Sequence, residues 1–296
     1  MTNQNDPFIS LGSKVTTIEE LQEVAPAVFA TRAATGVTEK YNFVPTDKIV
    51  KDILDLGWQL HSAKQDAKTD FGRHFIRFTH PDMGFMKQIN KDNVKPQIIL
   101  DNSHNRISST KIHMGLFRLV CTNGMVVAIP GMYSSVKFRH MGVDKAELKN
   151  VLDAAASQYY NIGAHVNDMQ MVSLNQDQKE EFAIRAIANR EPHMFIKDDG
   201  TIDFKAVTAS TNPLEIITPI RGEDTPNNLW TTFNVIQERM IKGGYARTSG
   251  SGRNSTTKGI SSGSRNLDLN KSLWTIAESY FNPTETRVEA GELILQ

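Results

Sequence analysis

The 296-residue chain has a single cysteine, Cys121, so no intramolecular disulfide can form and a reducing cytoplasm is the default compartment. No stretch approaches the roughly 20 apolar residues of a membrane span. The N-terminal MTNQNDPFISLGSK lacks the basic start and apolar core of a signal peptide. A soluble cytoplasmic protein that does not enter membranes is expected. An excess of charge is missing too: Lys+Arg and Asp+Glu are both 33, which excludes a uniformly basic, histone-like protein and leaves anion binding to local patches.

Catalytic signatures are also sparse. There is no GxxxxGK[ST] for a nucleotide triphosphate, no strand-linked GxGxxG for a dinucleotide, no HExxH and no CxxC. Lone carboxylates such as Asp55 and Glu147 read as helix-surface charges, because nothing pairs them for acid–base work. Neither a catalytic residue nor a cofactor is expected, and the chain reads as a non-enzyme.

What is present is an ordered alternation of elements. Residues 1–40 are polar and loosely patterned, an N-terminal arm with a short helix over 17–29 that Pro26 disturbs. Thr46 can cap a helix whose Ile49, Val50, Ile53 and Leu54 share a face, with Gly57 as its end. Strands are expected at 58–64, 73–80, 97–102, 110–120, 125–129 and 134–140, with Asn123-Gly124 as a tight hairpin turn. Asp144 and Glu147 open a long helix running to about Met171, and a second helix covers 175–190.

Pro192, Pro213, Pro219 and Pro226 make 191–228 an irregular excursion around a short hairpin at 198–201. Helices at 229–241 and 267–281 follow, separated by KGGYARTSGSGRNSTTKGISSGSRN, residues 242–266, which is rich in Gly, Ser and Thr and has five basic residues and no acidic one. The fold class expected is α+β: a curved antiparallel sheet with a long helix packed on one face and additional C-terminal helices. The arm is followed by one domain over 41–296, strand-rich at 57–141, helical at 143–190, irregular at 191–228 and helical again over 229–281.

Cations mark the candidate site. Alternation in 73–80 places Arg73, Phe75, Arg77 and Thr79 on one side, and Lys137 and Arg139 stand opposite Val136 and Phe138 in the last strand. Arg73, Arg77, Lys111, Arg118, Lys137 and Arg139 would line a groove, with His113 beside them and Phe75 stacking on a base. Lys242, Arg247, Arg253, Lys258 and Arg265, on a flexible Gly/Ser backbone, would clamp a phosphodiester chain. The plainer alternatives are a solvated charged sheet face and a soluble linker. Five histidines, His74, His80, His104, His113 and His140, with Asp70, Asp82 and Asp101, raise a third reading, a divalent-metal nuclease, which lacks compact ligand spacing.

FVPTDKIVKDILDLGW, FGRHFIRFTHP, IILDNSHNRISSTKIHMGLFRLVCTNGMVV, LWTTFNVIQERMIKGG and LNKSLWTIAESY, spread over 43–280, resemble a family from phages, prophages and plasmids known as domain of unknown function 932, the phage/plasmid-like proteins. The resemblance implies a mobile-element origin, hence the host cytoplasm, and implies no activity. In the order of its elements the chain is also similar to phage single-strand annealing proteins of the Rad-fifty-two and Red-beta kind. That likeness implies ATP-independent binding of single-stranded DNA in a basic groove, annealing in recombination or replication, and a homo-oligomeric ring or filament. The alternative is a protein-interaction factor whose partner is a host protein, blocking a host defence or regulating a host enzyme.

Overall fold

Strand-forming residues between 59 and 138 build one sheet in the computed structural model. The structure describes residues 12–36, 43–67, 69–81, 94–118, 123–126, 133–138, 145–225, 227–281 and 291–295. Packing divides the chain into two compact units, Met1–Gly163 with Glu289–Gln296, and Ala164–Val288.

In the first unit the strands are β1 (Ser13–Lys14), β2 (Gln59–Gln65), β3 (His74–Thr79), β4 (Val94–Asn102), β5 (Lys111–Arg118), β6 (Asn123–Val126), β7 (Tyr133–Phe138) and, later in the chain, β10 (Gly291–Leu295). Six of them pair antiparallel in the order β1-β2-β3-β4-β5-β7. β6 shares the free edge of β5, β10 adds to β7 in parallel, and the sheet is not closed. Asn123 and Gly124 lie in β6, paired with Arg118 and Phe117, so they do not form the expected turn. Residues 119–122 lie outside the described ones.

Register assigns the two faces. Ala63, Ile76, Leu100, Ile112 and Val136 are successive cross-strand partners and all are buried, a continuous apolar row. The other face carries the row Lys64, Phe75, Asp101, Lys111 and Lys137, so the period-2 reading of the strands holds. Its expected exposure does not, because every residue from His74 to Phe78 is buried.

Helix α1 (Ile18–Val24) opens with a capping box from Thr17 and Glu20. Helix α2 (Thr46–Asp55) buries Ile49, Val50 and Ile53, each stabilising the unit by roughly 1.5–3 kcal/mol. Thr46 does not cap it: the N-cap is Pro45, and the Thr46 hydroxyl turns inward to His74, His104 and Asn102. Helix α3 (Lys145–Met171) lies against the sheet, its Tyr159 hydroxyl donating to the Gln97 carbonyl at 2.6 Å.

The second unit is helical. Helix α4 (Gln176–Arg190) starts from an Asn175–Gln178 capping box. The Pro-containing excursion resolves into α5 (Pro192–Phe195), α6 (Phe204–Ser210) and α7 (Pro213–Ile217), with an Ile196–Ile202 bridge around the expected hairpin. Helix α8 (Leu229–Lys242) and α9 (Gly263–Phe281) close it, packing Trp230, Phe233 and Trp274 together in its core.

Candidate anion-binding pocket

The segment between α8 and α9 forms a strand hairpin, which corrects its reading as a flexible Gly/Ser backbone. Glycine supplies the reason. Gly243 ends α8 with φ +72°, and a Cβ there would lie 2.7 Å from both the Thr257 oxygen and the Lys258 carbonyl carbon. That close approach lets the Gly244 N–H donate to Thr257 O and the Ile260 N–H to Ile241 O, each at 2.9 Å. Strands β8 (Ala246–Thr248) and β9 (Asn254–Thr256) then pair as a hairpin. Ser262 accepts from the Arg265 N–H at 3.4 Å and so begins α9 four residues before the expected start at 267.

The stitched loop walls a pocket of 360 Å³. Arg190, Arg247, Lys258 and Arg265 line it against one carboxylate, Glu191, a net formal charge of three positive. Ser255, Thr256, Thr257, Ser261 and Ser262 add hydroxyl groups, and the amino end of the 19-residue α9 opens onto it with its partial positive charge.

Arg190 is the most constrained cation. It is 4% exposed and donates to the Tyr245 hydroxyl at 2.5 Å and to the Lys258 carbonyl. Its Nε is buried with no hydrogen-bond partner. Glu191 Oε1 lies 3.4 Å from Arg265 and 3.8 Å from Arg247. Lys258 forms no ion pair among the described residues.

Three of the sequence-derived cations therefore converge: Arg247, Lys258 and Arg265. Two loop cations do not. Lys242 donates to Glu238 at 2.8 Å, and Arg253 follows the hairpin turn as an exposed residue. Arg73 is paired and Arg77 is buried. Arg73 forms a bidentate pair with Asp101, at 2.8 and 2.7 Å, and its guanidinium covers the Phe75 ring at 4.9 Å. Phe75 is thus 4% exposed and cannot offer a face to a base.

His113 is buried 3.4 Å from Asp101. Burial pushes the Asp101 carboxyl up, but bonds from Arg73 and His113 outweigh it and bring it down to about 2. Arg77 is 6% exposed and bonds only to Gln97 Oε1, at 3.2 Å, among the described residues. Lys111 and Lys137 stand directly opposite one another, both half-buried. The Arg118 side chain and Arg139 lie outside the described residues.

Arg190 and Glu191 escape sequence reading because they end a helix and resemble ordinary C-terminal charges. A second signal was there: residues 259–263 read GISSG, the GxSxG pattern of a hydrolase nucleophile elbow. Ser261 does not have the strained backbone of that turn, since Arg106 is the one non-glycine with positive φ among the described residues, and the pocket lining includes no histidine base. The serines are hydrogen-bonding groups here. Among the described residues no group of three or more His, Cys, Asp or Glu could hold a metal ion. No helix there is long and apolar enough to cross a membrane.

A mixed α/β chain with a recessed cationic pocket is the class that fold and site define. Residues 34–274 match the family described as "Domain of unknown function (DUF932)", and the chain belongs to it. It is similar to the UPF0380 protein YafZ of Escherichia coli (strain K12), 30% identical over 268 residues that cover 89% of this chain and 90% of that protein. The UPF0380 protein YfjQ of the same organism is 28% identical over the same coverage. No solved structure matches.

Proposed function

We propose that the chain binds single-stranded nucleic acid through its phosphate groups, with the pocket of the second unit as the anchor. The observation that carries this reading is the convergence of Arg190, Arg247, Lys258 and Arg265 at the amino end of α9. Recession of the site favours a single strand. A duplex presents its phosphates on a stiff rod, whereas a flexible strand can lower one phosphate to a guanidinium that is 4% exposed.

Anisotropy of a labelled oligonucleotide, read against salt, tests the reading. Log affinity falls linearly with log salt, and Lys258→Ala or Arg265→Ala lowers affinity several-fold and shallows the slope by roughly one phosphate contact. Absence of binding at low salt, or variants that bind like the parent chain, sinks it.

A further inference from the structure

We infer that the pocket takes a phosphomonoester, the terminal phosphate of a strand, in preference to an internal phosphodiester; this rests on the nucleic-acid reading above. Charge comes first. An internal diester brings one negative charge, against a lining whose net formal charge is three positive. A terminal phosphate carries close to two negative charges at neutral pH, its second pKa being about 6.

Donor supply points the same way. A diester has two non-bridging oxygens, and both of its ester oxygens continue into nucleosides. A monoester has three non-bridging oxygens and continues in one direction only, so it can enter a recess end first. The recess holds more donors than two oxygens use: the guanidinium groups of Arg247 and Arg265, the Lys258 ammonium and the hydroxyls of Ser261 and Ser262. Arg190 is the most buried cation of the lining, 4% exposed.

Glu191 shapes the selectivity. Its carboxylate already sits 3.4 Å from Arg265 and 3.8 Å from Arg247, so an incoming anion competes with it for the same two guanidinium groups. A singly charged diester competes poorly and a dianion competes well. Removing the carboxylate therefore strengthens binding of both anions, the dianion included, because the repulsion it exerts grows with the charge of the ligand.

Three internally labelled oligonucleotides of one sequence, with a 5′-phosphate, a 3′-phosphate or hydroxyl groups at both ends, are titrated into the full chain, with adenosine monophosphate as competitor. The expected result is affinity about tenfold higher for at least one phosphorylated end than for the hydroxyl-ended strand. Arg265→Ala removes that preference, and Glu191→Gln raises affinity for the hydroxyl-ended strand. Arg190→Met also removes it, and thermal melting of each variant separates lost binding from lost folding. Equal affinity for all three strands overturns the end-group inference and leaves the nucleic-acid reading standing. A preference that survives in a folded Arg265→Ala chain places end recognition elsewhere and also overturns it. Adenosine monophosphate binding where no strand binds overturns both, since the phosphate would then come from a free nucleotide.

Discussion

Arg190 is clasped by Tyr245: its Nη1 donates to the Tyr245 hydroxyl at 2.5 Å while its guanidinium lies 5.3 Å from the centre of the same ring. The hydroxyl in turn faces the Met240 sulfur at 3.9 Å, and burial pushes its pKa up, so it stays protonated and neutral. Tyr245→Phe keeps the ring and removes the acceptor. We expect a loss of about 1–3 kcal/mol in urea unfolding, the cost of stranding a buried donor, together with weaker phosphate binding. An unchanged unfolding midpoint refutes this account of how Arg190 is held.

Lys242 separates a structural cation from a binding one. Glu238 is 5% exposed and accepts from Arg221 at 2.5 and 2.7 Å and from Lys242 at 2.8 Å. Burial raises the Glu238 carboxyl, but these partners bring it below the ordinary range. Lys242→Ala should cost on the order of 1 kcal/mol of stability and leave oligonucleotide affinity unchanged, whereas Lys258→Ala should do the reverse. Equal losses of affinity in the two variants would show that the sequence reading was right to group them.

Much of this architecture was legible in the sequence because it follows from periodicity. The rows Ala63 to Val136 and Lys64 to Lys137 are the two phases of a period-2 pattern, and the helices α2 and α4 fall where their sequence places them. What a face meets is not local. Alternation puts Arg77 and Phe75 on the polar side of β3 but says nothing of the cover that leaves them 6% and 4% exposed. Nor does Gly/Ser content announce order: residues 242–266 look like a linker until Gly243 is seen to touch the Thr257 backbone. The cations of that segment were found by composition; Arg190, the most buried cation of the lining, needed the fold.

Gly243→Ala tests that closure. The residue has φ +72°, and its added Cβ would meet backbone atoms of Thr257 and Lys258 at 2.7 Å, where no side chain can yield. The strain should cost a few kcal/mol and loosen the pocket, so affinity for oligonucleotides falls along with stability. Gly244→Ala is the matched control: it shares a positive φ, +86°, with open space around the Cβ, and should cost about 1 kcal/mol. A Gly243→Ala chain as stable as the control contradicts the tight approach.

Acid should weaken the first unit through two histidines. Thr46 Oγ1 lies 3.0 Å from His74 Nε2 and 3.2 Å from His104 Nε2, and accepts from Asn102 at 2.8 Å. His74 Nδ1 is 2.9 Å from the Gly72 carbonyl, to which it donates, so its Nε2 accepts the Thr46 hydroxyl proton. Burial holds both rings at about 4, below their ordinary 6.5; the bond to Gly72 and the charge of Asp101 oppose it at His74, and the charge of His74 adds to it at His104. The unfolded chain therefore binds protons that the folded one refuses. The stabilisation is complete above pH 6.5 and is lost as pH falls towards 4, at roughly 1.4 kcal/mol per tenfold displacement for each ring. Urea midpoints should drop between pH 7 and pH 5, and a His74→Gln, His104→Gln double variant should show a flatter profile. A midpoint that does not move over that interval defeats the prediction.

Arg77 gives the sharpest test of whether a buried cation stabilises. It is 6% exposed, bonds to the neutral Gln97 Oε1 at 3.2 Å, and has no carboxylate partner among the described residues. Burial pulls it down to about 10, and the Lys64 ammonium, itself lowered by burial, lies near enough to feel its charge. Desolvating a guanidinium costs several kcal/mol, and one hydrogen bond to an amide returns only part of it. Methionine fills a similar volume without charge, so Arg77→Met should leave stability unchanged or raise it, by up to roughly 3 kcal/mol. Arg77→Ala separates charge from volume, because the cavity it leaves costs stability and offsets the gain. A Met variant that loses more than about 1 kcal/mol would mean that the guanidinium stabilises the sheet.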